Sequence, residues 1–134
     1  MKLKIGSKMH KRMDKELRDI WVDALRSGQY KQGKLKLKDT KTNTYCCLGV
    51  GADAFGILNK DGRIYREDGF RLSSYSWAHV PVLKEEVPFP IQSYLMACND
   101  GEFMDEGGKV IGLPEDFEHP RGFEEIADFI ERYI

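Results

Sequence analysis

The sequence contains 134 residues, of which 41% are hydrophobic and 11% aromatic. This is enough apolar material for one packed domain, so residues 1–134 are predicted to form a single domain and not a disordered chain. No apolar run approaches the roughly 18 residues that a membrane-spanning helix requires. The N-terminal stretch MKLKIGSKMHKRM has no apolar signal core. We therefore expect a cytoplasmic protein.

The formal net charge of −1 conceals an uneven distribution along the chain. Residues 1–41 contain 13 Lys and Arg against 5 Asp and Glu, whereas residues 42–134 contain 8 against 17. Such a split indicates a basic face that meets an anionic partner, or two opposed faces that meet in a homo-oligomer. Neutralisation of one half by the other within a monomer explains the numbers equally well.

The cysteine and histidine pattern favours neither a disulfide framework nor a metal site. The cysteines are odd in number and sequence neighbours rarely pair, so reduced thiols in the core are expected. There is no Cys-x-x-Cys, and the histidines lack the paired spacing of a structural zinc site. The residues concerned are Cys46, Cys47, Cys98, His10, His79 and His119. No metal and no cofactor are predicted.

The first helix is the clearest element of the chain. Residues 1–12 are basic and unpatterned, and they predict an arm or an edge strand around Lys2–Ile5. From Met13 to Ser27 the apolar residues recur on one face of a helix, which predicts an amphipathic α-helix. Gly28 follows it, and glycine often ends helices because it adopts the left-handed conformation without a steric cost.

A short basic strand is predicted after this helix. In Tyr30–Lys38, Leu35 and Leu37 alternate with lysines, and this period of two predicts a half-buried strand with a lysine-lined outer face. Such lysines either bind anions or only protect a sheet edge from aggregation. Residues 39–43 are predicted to form a turn.

The segment TYCCLGVGADAF is predicted to contain a buried helix around Cys46–Phe55. Its small residues favour tight packing, with Thr44 as the cap and Gly56 as the terminator. Gly49 and Gly51 lower the helix propensity, which indicates that another backbone passes close by.

The rest of the chain alternates turns, short strands and helical candidates. Tight turns at Asp61-Gly62 and Asp68-Gly69 join short strands, and Ile91–Asn99 fits a short helix or a strand. A strand is predicted at Lys109–Ile111 and an amphipathic helix at Phe123–Tyr133, with acidic residues in its first turn. These elements predict an α+β domain, with two amphipathic helices and one buried helix packed on a small, mostly antiparallel sheet.

Side chains suited to anions and bases cluster where the first helix gives way to the strand. An arginine and a lysine bind phosphate, a tyrosine stacks on a base, and serine and glutamine hydrogen-bond a sugar or a base edge. A later Asn-Asp-Gly turn adds groups that bind ribose hydroxyls. The predicted ligand-binding residues are Arg26, Ser27, Tyr30, Gln32, Lys34, Asn99 and Asp100.

Structural roles explain some of the same residues. Arg26 and Gln32 can satisfy carbonyl groups at the end of the helix, because buried polar groups are nearly always hydrogen-bonded. Asn99 can cap the preceding element in a plain Asx turn, with no ligand involved. The sequence leaves both interpretations open.

No catalytic residue is predicted. A thiol enzyme would need a cysteine beside His79 or His119, but the apolar surroundings of these cysteines raise thiol pKa values. Paired-carboxylate hydrolysis would use an acidic loop, yet such loops are usually solvated. The lysines after Tyr30 lack further aromatic platforms and the pI is near 6.3, so a nucleic-acid partner is not expected. The loop carboxylates are Asp100, Glu102, Asp105 and Glu106.

Four short segments are spread in order along nearly the whole chain. They are W-x-x-A-L-R-S-G-x-Y-x-Q (Trp21–Gln32), Y-C-C-L-G-V (Tyr45–Val50), C-N-D-G (Cys98–Gly101) and G-F-E-E-I-A-D-F-I-E (Gly122–Glu131). This pattern resembles a group of small proteins encoded by tailed bacteriophages. The chain departs from the group at Gly51-Ala52-Asp53, where an apolar residue and Cys-Asp are expected, and at residues 102–121, which resemble an insertion. The resemblance implies a phage origin and a bacterial cytoplasm, but no activity.

The expected function is binding without catalysis. Its most concrete form is a sponge that sequesters an anionic nucleotide signal of bacterial antiviral immunity, with Arg26 and Lys34 on phosphate and Tyr30 on a base. The opposed charges of the two halves fit a homo-oligomer that assembles the pocket between copies. The alternatives are a protein-binding inhibitor of a host enzyme, acting through the acidic loop 100–118, and a nucleotide-processing enzyme.

Overall fold

The computed structural model describes residues 4–5, 8–63, 85–101 and 117–134. In these ranges the helices are α1 (Lys15–Arg26), α2 (Cys47–Ala54), α3 (Phe89–Asp100) and α4 (Phe123–Tyr133). The strands are β1 (Lys4–Ile5), β2 (Lys8–Met9), β3 (Lys31–Gln32), β4 (Lys38–Asp39) and β5 (Thr44–Tyr45). The predicted α+β class is confirmed. The predicted turn at Asp68-Gly69 and the strand at Lys109–Ile111 lie outside the described residues.

The amphipathic helices α1 and α4 pack against each other and supply much of the core. The buried face of α1 includes Trp21, Val22 and Leu25, and that of α4 includes Ile126 and Ile130. The period predicted the buried face of α4 correctly. In α1 it was partly wrong, because Ile20, predicted on that face, is 45% exposed, whereas Val22, which the period omitted, is buried. No helix in the described part of the chain is long and apolar enough to cross a membrane.

The N-terminal cap of α1, Asp14, also forms a hydrogen bond to a residue that is distant in the sequence. The Asp14 carboxylate accepts a hydrogen bond from the Leu17 N–H at 3.2 Å, while the Asp14 N–H donates to Glu86 Oε2 at 2.7 Å. This explains why the helix begins at Lys15, two residues after the apolar period starts at Met13. The helix ends at Ser27 and Gly28, whose φ of 76° confirms the predicted terminator.

The buried helix α2 is confirmed, but the predicted cap is wrong. Thr44 lies in β5, and Cys46 caps the helix instead, with its Sγ accepting from the Gly49 N–H at 3.4 Å. The Trp21 indole N–H donates to the Cys47 carbonyl at 3.0 Å and joins α1 to α2. Gly56, at φ 75°, follows the end of the helix as predicted.

The predicted single strand Tyr30–Lys38 is wrong. The chain forms β3 and β4 with a tight turn between them, in which Leu35 takes a left-handed φ of 68°. Leu35 is consequently 53% exposed, whereas Leu37 is fully buried, so the two leucines do not share a face.

Both short strands pair with β5, in opposite directions. β3 runs parallel to β5 with Lys31 opposite Thr44, and β4 runs antiparallel with Lys38 opposite Tyr45. The three-stranded sheet is therefore mixed, while β1 and β2 form a separate antiparallel pair in the basic N-terminal segment. The predicted outer face of Lys34, Lys36 and Lys38 is not formed, because Lys34 is exposed in the turn whereas Lys38 is half-buried in β4.

The segment predicted as either a helix or a strand is the helix α3. Pro90 lies in its first turn, where a missing N–H removes no helical bond. Gly101 ends it at φ 72°. Asn99 and Asp100 thus belong to the last turn of α3 and not to an Asx turn, which places their side chains inside the domain.

A backbone passes close to α2, as its glycines predicted. A Cβ on Gly49 would lie 1.7 Å from the Leu37 carbonyl oxygen. A Cβ on Gly51 would meet the Trp21 side chain at 2.9 Å, so there the neighbour is a ring and not a backbone. The approach at Gly49 thus brings the β3–β4 segment directly against the buried helix.

We expect Gly49→Ala to destabilise the protein by about 3 kcal/mol or more, because the obstructing atoms are backbone that cannot rotate away. Chemical denaturation of the purified variant measures the loss. Gly122→Ala is the matched control, since a Cβ there has no neighbour within 4 Å and φ is an ordinary −78°. An equal effect of both substitutions would contradict the close approach.

Candidate functional site

The amide of Asn99 is the centre of a buried polar network. Its Oδ1 accepts from Gln32 Nε2 at 2.9 Å and from the Cys47 N–H at 3.1 Å. Its Nδ2 donates to the Gly33 carbonyl at 2.8 Å and to Asp100 Oδ1 at 3.0 Å. The residue is only 4% exposed, and all four hydrogen-bonding positions of the amide are occupied.

Asp100 fixes the turn between β3 and β4. Its Oδ1 also accepts from the Leu35 N–H at 3.3 Å, which holds Leu35 in its left-handed conformation. The carboxylate is 7% exposed and has no basic partner among the described residues. Asp100 is therefore a positioning group for the turn that carries Lys34.

An open cleft of about 380 Å³ lies beside this network. It brings together the turn after β3, the end of α3 and the residues that precede α4. Its described lining consists of Gln32, Gly33, Lys34, Cys98, Asn99, Gly101, Arg121 and Gly122. Three of the predicted ligand-binding residues, Gln32, Lys34 and Asn99, thus border a single cleft, with Asp100 in direct contact with Asn99.

Lys34 and Arg121 give the cleft a positive character. Both side chains are exposed, and neither forms an ion pair within the described ranges. Gln32 joins β3 to the segment that precedes α4, because its Nε2 also donates to the Arg121 carbonyl at 2.7 Å. Gly122 caps α4 without a side-chain hydrogen bond, while the Glu125 carboxylate in the first turn accepts from the Arg121 N–H at 3.0 Å and offsets the partial positive charge of the helix start.

Three other predicted residues lie outside this lining. Arg26 donates to Glu131 at 2.9 Å and to Asp128 at 2.5 Å, and these hydrogen bonds raise its pKa. Its planar fork therefore ties α1 to α4. It does not bond carbonyls at the helix end. Ser27 donates its hydroxyl to the Ala24 carbonyl at 2.7 Å and completes the helix end.

Tyr30 is held away from any stacking role. Its hydroxyl donates to the Asp53 carboxylate at 2.5 Å, and its ring meets Tyr45 edge to face with centroids 4.9 Å apart. Burial and the Asp53 hydrogen bond raise the pKa of Tyr30 to about 12. The tyrosine thus joins the turn after α1 to the end of α2.

Arg121 and Gly122 were missed by the sequence analysis. In the sequence, their one distinguishing feature is their position immediately before a strongly amphipathic helix. Nothing local in the sequence indicates that the Arg121 carbonyl faces Gln32, since that contact depends on how α4 packs.

The three cysteines are free, buried core residues. Burial raises the pKa of Cys46 to about 12 and that of Cys98 to about 12, and raises the pKa of Cys47 well above its usual value. None of these thiols has the lowered pKa of a nucleophile, although Cys98 borders the cleft. Among the residues that the structure describes, no group of three potential ligands is placed to hold a metal ion.

The chain belongs to a family defined by a domain of unknown function, DUF8296, whose model matches residues 13–134. The match begins at Met13, just before α1, and covers every element that builds the cleft. No curated protein and no solved structure shows significant similarity to the chain.

We expect the thiols to be inert in the folded protein. At pH 8, a disulfide reagent such as Ellman's should react about a thousandfold faster in urea than with native protein, because reaction requires exposure of a thiolate. Absorbance should then report three thiols per chain. A thiol that reacts within seconds in the native state would contradict the buried assignment.

We expect Asn99→Asp to cost about 3–5 kcal/mol at pH 8, because it removes two donors and places a second carboxylate beside Asp100. That crowding raises the folded-state pKa of the new carboxyl above the ~3.9 of an unfolded aspartate. The deficit should therefore shrink as the pH is lowered from 8 to 5, since protonation removes the repulsion.

Urea denaturation of wild type and variant at both pH values measures this difference. Asn43→Asp is the control, because Asn43 is exposed and its left-handed φ of 55° suits aspartate nearly as well as asparagine. A deficit at Asn99 that does not depend on pH would show that the four-bond network is assigned incorrectly.

Proposed function

We propose that the chain binds an anionic, nucleotide-like small molecule in the cleft and does not convert it. The observation that carries the proposal is the placement of Lys34 and Arg121 on one cleft without acidic partners among the described residues. Two cations at one cleft favour an anion through charge-assisted hydrogen bonds. Arg121 supplies a planar fork and Lys34 a mobile point charge.

The rigidity of the cleft supports binding as its role. Asn99 and Asp100 hold the Lys34 turn through the Gly33 carbonyl and the Leu35 N–H, so the turn is ordered before any ligand arrives. A preorganised site loses less conformational entropy on binding, which favours the high affinity that sequestration demands. The protonated state of the buried thiols argues against nucleophilic turnover by cysteine.

The phage resemblance supports a role for this binding during infection of a bacterial cell. In our proposal the ligand is a nucleotide signal of bacterial antiviral immunity, and the protein acts as a sponge in the cytoplasm of the infected cell. The basic first third and the acidic remainder support assembly of two copies, with the cleft closed between them. Arg26 and Tyr30, which are engaged within the fold, are not ligand groups in this form of the proposal.

A thermal-shift screen tests whether any such ligand binds. Purified protein is heated with cyclic dinucleotides, cyclic ADP-ribose isomers, NAD and common nucleotides. A ligand at 100 times its Kd should add about 2.7 kcal/mol, or about 10 °C for a domain of this size. Ligand released by heat is then analysed by chromatography. Intact ligand supports sequestration, altered ligand indicates an enzyme, and no shift with any nucleotide would favour a protein-binding inhibitor.

Lys34→Ala and Arg121→Ala should each weaken binding of a hit at least about tenfold, as removal of a charged hydrogen bond does. Titration calorimetry measures the affinities. Lys41→Ala, which removes an exposed lysine outside the cleft, should leave the affinity unchanged. Arg26→Ala should also bind normally while losing less than about 1 kcal/mol of stability, since its partners are exposed. Loss of binding in Arg26→Ala alone would place the ligand elsewhere.

A further inference from the structure

The two amide side chains of the cleft, Asn99 and Gln32, already form hydrogen bonds within the protein. Asn99 uses both its acceptor positions and both its amide hydrogens on protein groups. Gln32 Nε2 likewise donates both hydrogens, to Asn99 and to the Arg121 carbonyl. Within the described ranges, Gln32 Oε1 is the one amide atom of this pair without a hydrogen bond, and a single acceptor suits a ribose hydroxyl. Reading a base edge requires a matched donor and acceptor pattern, which these side chains no longer offer.

Gly33 and Gly101 add little hydrogen-bonding capacity to the cleft. The Gly33 N–H donates to the Tyr45 carbonyl at 2.7 Å, and its own carbonyl accepts from Asn99. The Gly101 N–H donates to the Ala97 carbonyl. The backbone on this side of the cleft is therefore satisfied, which leaves the charges of Lys34 and Arg121 as its main binding groups.

No aromatic ring is among the described residues that line the cleft. The nearest candidate in sequence, Tyr30, is fixed by Asp53 and packs edge to face on Tyr45, and Lys38 lies over the Tyr45 ring at 5.4 Å. Among the described lining residues, a nucleotide base would therefore meet no ring to stack on. The Arg121 plane can cover a base, but it does so for every base.

We propose that the cleft recognises the phosphate and sugar of its ligand and does not discriminate between bases. This inference rests on the proposed function and specifies its ligand class: nucleotides that are held through their phosphates and ribose. The affinity depends on the attraction between the two cations and the phosphate charges, so it rises with the number of phosphates. The base projects from the cleft.

Titration calorimetry at one fixed ionic strength tests this specificity with ADP, GDP, CDP, UDP, adenosine and inorganic pyrophosphate. The four diphosphates should have Kd values within about threefold of one another, pyrophosphate should compete with them, and adenosine should not bind. Contacts to a base edge would instead separate the four by roughly fivefold or more. Such a separation, or adenosine binding as tightly as ADP, would overturn the inference.

Variants distinguish failure of this inference from failure of the proposed function. Lys34→Ala should weaken all four diphosphates by the same factor, and Lys41→Ala should weaken none of them. If phosphates bind and Lys34→Ala lowers their affinity, but one base is strongly preferred, base-independent recognition is wrong and the site stands. If neither the diphosphates, pyrophosphate nor any ligand of the wider screen binds, the proposed function fails, and this inference with it.

Discussion

The buried amide of Asn99 is the contact on which this fold and its cleft depend. It joins the turn after β3, the start of α2 and the end of α3, and through Gln32 it reaches the entry to α4. An amide that supplies two donors and two acceptors can satisfy partners from several segments at once. Because the side chain is buried, each unmade bond would leave a desolvated polar group, so the segments assume one arrangement.

In the proposed mode of binding, the same network leaves recognition in the cleft to charged side chains. Amides saturated within the protein position the backbone but have little capacity left for a ligand. The exposed side chains of Lys34 and Arg121 keep their capacity to bind a ligand. The backbone segments that contain them are fixed by hydrogen bonds from Asn99, Asp100 and Gln32. In this proposal, one set of polar residues stabilises the fold and a neighbouring set binds the ligand.

Packing around α2 imposes the second constraint. Gly49 has no side chain, so the Leu37 backbone can lie against it. The Trp21 ring packs on Gly51, and its indole N–H donates to the Cys47 carbonyl. The close approach places the β3–β4 segment in contact with the helix that also donates to Asn99. The left-handed conformation of Leu35 follows from these contacts. The Leu35 N–H donates to Asp100 while Leu37, two residues later, is buried against α2, so the chain must turn sharply at Leu35.

The sequence by itself determined the elements that depend on local periodicity and backbone chemistry. The helical spacing in α1 and α4, the small residues of α2 and the glycines at 28 and 56 all act within a few residues, so they predicted the helices, their ends and the buried thiols. Only the tertiary structure decided which distant group each polar side chain meets. Arg26 binds α4 carboxylates, Gln32 binds Asn99, and Arg121 reaches the Lys34 cleft, because hydrogen-bond partners are chosen by long-range packing that no local pattern encodes.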